Sequence, residues 1–175
     1  MKNKSIVVGT GCFWCSEASF QLVSGVVGVT PGYAGGTADD ANYTAVCTST
    51  TGHAQVSQVI YDPAVVSLET LLAVFWSIHD PTSLNRQGAD AGPQYASVIY
   101  YEDEADLTII EASRADAQLQ LSDTIVTRIE PLDTFYEAED YHHNYFVNNP
   151  SAGYCRAVIE PKLTKMRQHF ADKLQ

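Results

Sequence analysis

The segment Gly11-Cys12-Phe13-Trp14-Cys15 carries the strongest chemical signal in the chain. The apolar run Ile6-Val7-Val8 reads as a strand and Gly9-Thr10-Gly11 as a flexible turn, so Cys12 stands at the start of a helix. Free amides and the helix dipole favour a thiolate there, and the expected thiol pKa falls below its usual ~8.5. The thiolate is the nucleophilic form of cysteine. Cys15 lies three residues on, one helical turn away, which is close enough to close a disulfide. The pair therefore supports a redox cycle. Two buried packing thiols are the plainer alternative. A zinc site made from all four cysteines is another, but Cys47 and Cys155 are isolated and form no second C-x-x-C. The Cys-Phe-Trp-Cys order also differs from a thioredoxin site, where a tryptophan is expected before the first cysteine.

The elements that must position this pair follow from periodicity. Residues 5–8 are an expected strand. Trp14, Ala18 and Leu22 fall on one face of the helix that follows, and Gly25 ends it. Residues 26–30 read as a short strand and 31–42, rich in glycine, as a loop. A strand is expected over 55–61. Leu68, Leu71, Leu72, Phe75, Trp76 and His79 share one face of a helix over 67–79, which Asp80-Pro81 stops. Residues 82–93 read as a polar loop and 95–101 as a strand. A helix over 103–121 opens on acidic residues, as its dipole prefers. A strand over 125–129 and helices over 138–147 and 161–174 complete the chain. Strands and helices mix without a strict βαβ rhythm. The expected fold is α+β: a two-layer sandwich with a mixed β-sheet and flanking helices, in one domain over residues 1–175.

Composition bounds the function. Of the 175 residues, 45% are hydrophobic, enough for one sizeable core, and the net charge is −11. So acidic a chain repels phosphates, which excludes nucleic acid and anionic membranes as expected partners. No apolar run approaches the ~18 residues of a membrane span. The N-terminal apolar run is too short for a signal-peptide core, and four cysteines are too few for a disulfide scaffold. A reducing, cytoplasmic setting and a monomer are expected.

The pattern around Cys12 resembles the signature of the A-type peptide methionine sulfoxide reductases, in Gly11-Cys12-Phe13-Trp14 with Glu17 following. The similarity continues in order through Gly32-Tyr33-Ala34-Gly35-Gly36, Tyr43, Val46, Cys47, Thr51-Gly52-His53-Ala54 and Tyr61-Asp62-Pro63. It resumes at Phe75-Trp76, His79-Asp80-Pro81, Arg86-Gln87-Gly88, Asp90, Gly92 and Gln94-Tyr95. Ala138-Glu139-Asp140-Tyr141-His142 and Gly153-Tyr154-Cys155 close the series, so the resemblance covers residues 5–165. It implies reduction of the S epimer of methionine sulfoxide, free or in proteins, with no cofactor or metal. By the same resemblance Cys12 attacks the sulfoxide sulfur and becomes a sulfenic acid. Phe13 and Trp14 form the apolar wall for the ε-methyl group. Tyr43 and Tyr95 donate to the sulfoxide oxygen, and Asp90 holds the polar side of the pocket. A resolving cysteine then closes a disulfide that thioredoxin reduces. These residue types suit the substrate, because a sulfoxide needs donors for its oxygen and aromatic surface for its methyl group.

Two positions depart from the pattern. Gln55 follows Gly52-His53-Ala54 where the family has glutamate. A protonated glutamate in an apolar pocket can deliver a proton as the sulfoxide oxygen leaves. Glutamine keeps the shape and the hydrogen bonding but cannot deliver that proton, so activity is expected to be reduced rather than absent. Tyr43 or Tyr95 are candidate substitute donors, though a phenol with a pKa of ~10 is a weak acid. The second departure is Cys15, where many members have glycine. Cys15 and Cys155 compete as the resolving thiol. Proximity favours Cys15, whereas the stretch 148–153 is a flexible approach that could carry Cys155 in. Cys47 reads as a buried structural thiol. His142-His143 with Asp140 reads as loop-ordering rather than metal-binding, because adjacent residues point to different faces of a helix.

Three other functions remain open on the residues alone. A general thiol–disulfide oxidoreductase would use Cys12 and Cys15 without the tyrosines. A module that binds oxidised methionine would hold it without turnover. A structural zinc domain would carry bound metal.

Overall fold

A computed structural model describes residues 2–175. Its central sheet has six strands. They are β1 (Lys4–Thr10), β2 (Val26–Ala34), β3 (Ala54–Tyr61), β6 (Ser97–Tyr101), β7 (Arg128–Pro131) and β8 (Phe135–Glu137). β4 (Arg86–Gln87) and β5 (Asp90–Ala91) form a separate small hairpin. The large sheet runs in the order β7-β6-β1-β3-β2-β8. All its pairs are antiparallel except β6 with β7, so the sheet is mixed, as expected. The helices are α1 (Phe13–Phe20), α2 (Tyr43–Val46), α3 (Leu68–Ser77), α4 (Glu104–Gln118), α5 (Tyr145–Asn148) and α6 (Glu160–His169).

The period-2 alternation of strands sorts side chains between the two faces of the sheet. On β1, Ile6 and Val8 face the helices, where they pack with Leu71, Leu72, Phe75 and Ile110. Val7 faces the other way, onto Ala54, Val56, Val98 and Tyr100. On β3 the same alternation turns Gln55, Ser57 and Val59 toward the helices. Gln55 meets the start of α1, and the Ser57 hydroxyl lies 2.7 Å from that of Ser16. The position of Gln55 under the Cys12 segment is therefore a consequence of strand register.

Four elements differ from the sequence reading. β2 continues through Pro31 to Ala34, where a loop is expected from residue 31. Proline is tolerated because the side of Pro31 that lacks an N–H faces β8, where its carbonyl accepts from the Ala138 amide, so the β2–β3 ladder loses nothing. The following Gly32 lies under the ring of Phe135, and a Cβ there would come within 2.4 Å of it and of the Tyr136 carbonyl. The 82–93 loop contains the β4–β5 hairpin. The strand expected over 125–129 begins only at Arg128, as the parallel partner of β6.

The helix expected over 138–147 is broken in two. A single 3₁₀ turn, Asp140–His142, is separated from α5 by Asn144, which is left-handed at φ 55°. The Glu17 carboxylate accepts the freed N–H groups of Asn144 and Tyr145, at 2.9 and 3.3 Å. A π-helical stretch, Cys155–Ile159, runs into α6. Pro161 has no N–H to continue regular α-helical bonding at that point, which accounts for the wider turn before it.

Candidate active site

Gly11, at φ +104°, makes the sharp turn from β1 into α1, and Cys12 is the N-cap residue of that helix. Two of the free α1 amides are used at once. The Phe13 N–H donates to Gln55 Oε1 at 3.2 Å, and the Trp14 N–H is directed at the Cys12 sulfur. Gln55 is 1% exposed. With its carbonyl fixed on Phe13, its NH₂ group faces the Tyr95 hydroxyl. A glutamine here reproduces the hydrogen-bond pattern of a protonated glutamate, with an N–H where the acid would carry its proton.

All four cysteines are free thiols. Cys12, Cys15 and Cys155 are buried in one core cluster with Phe13, Tyr33, Val46 and Ile159. The Cys12 thiol stands well above its ordinary value, which reverses the expectation for a helix N-terminus. Burial, together with the adjacent Cys15, outweighs the single amide from Trp14. Cys15 is lowered to about 7, chiefly by its hydrogen bond with Cys12 and assisted by the charge of Lys162 and the Tyr154 hydroxyl. The two thiols titrate as a pair, with Cys15 the lowered partner. Cys155 is also raised by burial. It lies inside the core rather than at the end of a swinging loop. Cys47, expected to be buried, is exposed at the C-terminal end of α2, because that short helix turns only Val46 inward.

An aromatic box surrounds the thiol. Trp14 stacks on Tyr145 with ring centroids 3.7 Å apart and planes within 5°. Its indole N–H donates to His142 Nδ1 at 2.9 Å. Tyr43 stacks loosely on Phe13 and Trp14, each at 6.4 Å, and leans on His142 at 4.4 Å. Phe13 is fully buried and forms the floor of the box against Tyr33, while Trp14 is only half-buried and presents an open surface. Burial raises Tyr43 and lifts Tyr95 to about 12, and a charge on Cys12 would raise both further. Both phenols are hydrogen-bond donors. As proton donors they are weaker acids than the sequence reading allowed.

Two supports of this box, Glu139 and Glu17, are residues that the sequence reading left without a role. Glu139 accepts from the Tyr33 hydroxyl at 2.7 Å and from the Tyr43 amide at 2.9 Å, fixing the start of α2. Its burial would raise the carboxyl, but these hydrogen bonds outweigh burial and hold it below the usual carboxylate range. Glu17 orders Tyr145, and His142 orders Trp14, in keeping with a loop-ordering role for that histidine. The only available signal was their membership in the Glu17 and 138–142 motif blocks. On the far side of Cys12 lies a cavity of about 340 Å³, lined also by His79, Asp80, Asp90, Tyr154 and Lys162. Asp90 accepts from the Tyr154 hydroxyl at 2.7 Å, and so stands on this side of the thiol. Among the described residues, no group of three or more Cys, His, Asp or Glu is placed to hold a metal ion.

Buried thiols beside a dry aromatic surface are the equipment of an oxidoreductase that acts on sulfur. Comparison with known proteins narrows that class. Residues 4–174 match the family model for peptide methionine sulfoxide reductase, and the chain belongs to that family. It is 49% identical to the peptide methionine sulfoxide reductase MsrA of Natronomonas pharaonis over 169 residues, 95% of each chain. It is likewise 49% identical to the MsrA of Chromobacterium violaceum over 97% of each chain. The fold is similar to that of reduced Mxr1 from Saccharomyces cerevisiae, with a TM-score of 0.84 at 37% identity, covering 88% of this chain and 90% of the other. It is also similar to Mxr1 in complex with Trx2, with a TM-score of 0.59 at 29% identity, over 82% and 85% of the two chains. The chain is thus a methionine sulfoxide reductase. Among the described residues no helix is long and apolar enough to cross a membrane.

Proposed function

We propose that this chain reduces the S epimer of methionine sulfoxide, free or in proteins, by the thiol chemistry of Cys12, and that Gln55 slows it. Cys12 attacks the sulfoxide sulfur. Cys12 gives up its thiol proton as it attacks; the sulfoxide oxygen takes up a proton and passes from the substrate sulfur to the Cys12 sulfur as a sulfenic acid, the bond between the two sulfurs breaks, and methionine leaves, with no net change in protons. Tyr43, Tyr95 and the Gln55 amide offer donors to the sulfoxide oxygen, and Trp14 above Phe13 offers the apolar surface for the methyl group. Cys15 then displaces water from the sulfenic acid to close a disulfide, with Cys155 as its competitor. A thioredoxin dithiol reopens the disulfide by exchange, which the likeness to Mxr1 bound to Trx2 supports. The chain would act as a monomer in the cytoplasm, whose reducing conditions keep thioredoxin in its dithiol form.

The observation that carries this reading is the Phe13 amide bound to Gln55 directly beneath the Cys12 turn. It supports the reading that Gln55 stands where an acid would meet the sulfoxide oxygen. The test is a single turnover of reduced protein with chromophore-tagged methionine S-sulfoxide and no thioredoxin, beside a Gln55→Glu variant. One methionine per chain with two thiols lost is expected, and faster in the variant. If neither protein forms methionine, the reading is wrong. Binding of the sulfoxide without turnover by the glutamine form, with turnover in the variant, would make this chain a binding module.

A further inference from the structure

The charged cavity beside Cys12 gathers three groups around the second thiol. The Tyr154 hydroxyl lies 2.7 Å from Asp90 Oδ2 and 3.6 Å from Cys15 Sγ. A phenol has one proton, and here it is donated to the carboxylate. Its oxygen is therefore left to accept the S–H of Cys15. Lys162 lines the same cavity, from the first turn of α6. That is an unfavourable place for a cation, because the helix dipole is positive there. Lys162 also has no ion-pair partner among the described residues, unlike Lys4, Arg114 and Arg128. Its other charged or titratable neighbours are Asp80 and His79 and, on its own helix α6, Lys165 and His169. His79 stays neutral, because burial lowers it to about 3 while its Nδ1–H donates to the Phe75 carbonyl.

We propose that Tyr154, Asp90 and Lys162 form a resolution site that readies Cys15 to attack an oxidised Cys12, with Tyr154 as the proton acceptor and Lys162 as a positioning charge. This rests on Cys15 being the resolving thiol. In the step itself the Cys15 proton passes to the Tyr154 oxygen while the phenol proton passes to Asp90. The Cys15 sulfur bonds to the Cys12 sulfur, and the S–OH bond of Cys12 breaks. The departing hydroxide collects the proton, so a thiol and a sulfenic acid give a disulfide and water. Cys15 faces Cys12 on α1, Tyr154 before the π-helical stretch, Lys162 on α6, Asp90 on β5 and Cys155. Of these, Lys162 favours its thiolate and Asp90 opposes it. Moving the proton onto Asp90 removes that opposition at the moment of attack.

The test follows methionine formation and thiol loss separately in a rapid-quench single turnover, at pH values on both sides of 7. The readout is the ratio of the two rates. In Lys162→Met, thiol loss should fall behind methionine formation, with its pH midpoint moved upward. A one-unit move leaves about one-tenth of the thiolate on the acid side of the midpoint. Lys162→Arg should restore both the ratio and the midpoint, and Tyr154→Phe should lag as Lys162→Met does. A Lys162→Met protein with an unchanged ratio and midpoint overturns the proposal. The underlying reading is tested apart, in Cys15→Ser. There, loss of two thiols would make Cys155 the resolving residue, whereas arrest at one thiol lost keeps Cys15 in that role.

Discussion

The two sides of Cys12 are built on opposite principles. On one side stand stacked rings, buried phenols and an amide, with no charged group in contact with the thiol. On the other stand Lys162, Asp80 and Asp90 around a small cavity, with a tyrosine as the bridge. A sulfoxide is neutral and dipolar, so it is served by a dry pocket with fixed donors, where each hydrogen bond counts for more than in water. Thiol–disulfide chemistry instead creates and moves negative charge, so it is served by a cation and a path for the proton. In the proposed mechanism Cys12 needs both, and its place at the head of α1, between β3 and α6, puts both beside it.

Breaking Cys12 should silence both sides together. Cys12→Ser is expected to form no methionine and to lose no thiols on exposure to the sulfoxide, checked by product analysis and thiol titration. Next in size, Gln55→Glu should act on the aromatic side alone. It should speed methionine formation by about 10²- to 10⁴-fold, the usual worth of general acid catalysis, while the pH midpoint of disulfide closure stays where it was. Smaller again, Tyr145→Ala removes the stacking partner of Trp14. An aromatic pair is worth about 0.5–1.5 kcal/mol, which corresponds to about a two- to tenfold rise in KM for the sulfoxide if Trp14 is loosened.

The smallest effect concerns Glu139. Its folded-state pKa is depressed, so its stabilisation is fully present above the ordinary value of 4.5 and is lost as the pH falls through the folded value. Glu139→Gln should therefore melt below the starting protein at neutral pH and converge with it in acid, as read by thermal unfolding at both pH values. An equal gap at both would mean that the Tyr43 amide depends on packing rather than on charge.

The elements that the sequence made plain are those set by near neighbours. The α3 stripe from Leu68 to Phe75 and the apolar run of β1 are encoded within one or two turns of chain. The strand through Pro31 was hidden, because a proline reads as a breaker until β8 is known to leave its missing donor unopposed. The break at Asn144 was hidden for a similar reason: the carboxylate that rescues its amide comes from Glu17, 127 residues earlier.

The candidate site divides along the same line. From the sequence alone come the kinds of chemistry: a thiol at a helix start, a second thiol one turn on, and rings beside them. Those depend on residue identity and local spacing, which the chain carries with it. Tertiary structure decided the protonation and the partners. It made Cys12 a buried thiol and Cys15 the more acidic one, exposed Cys47, set Gln55 on the Phe13 amide across 42 residues, and tied Asp90 to Tyr154 across 64. Burial and the charges that face a group are sums over everything packed around it, and residues so distant along the chain become neighbours only when the sheet and helices close.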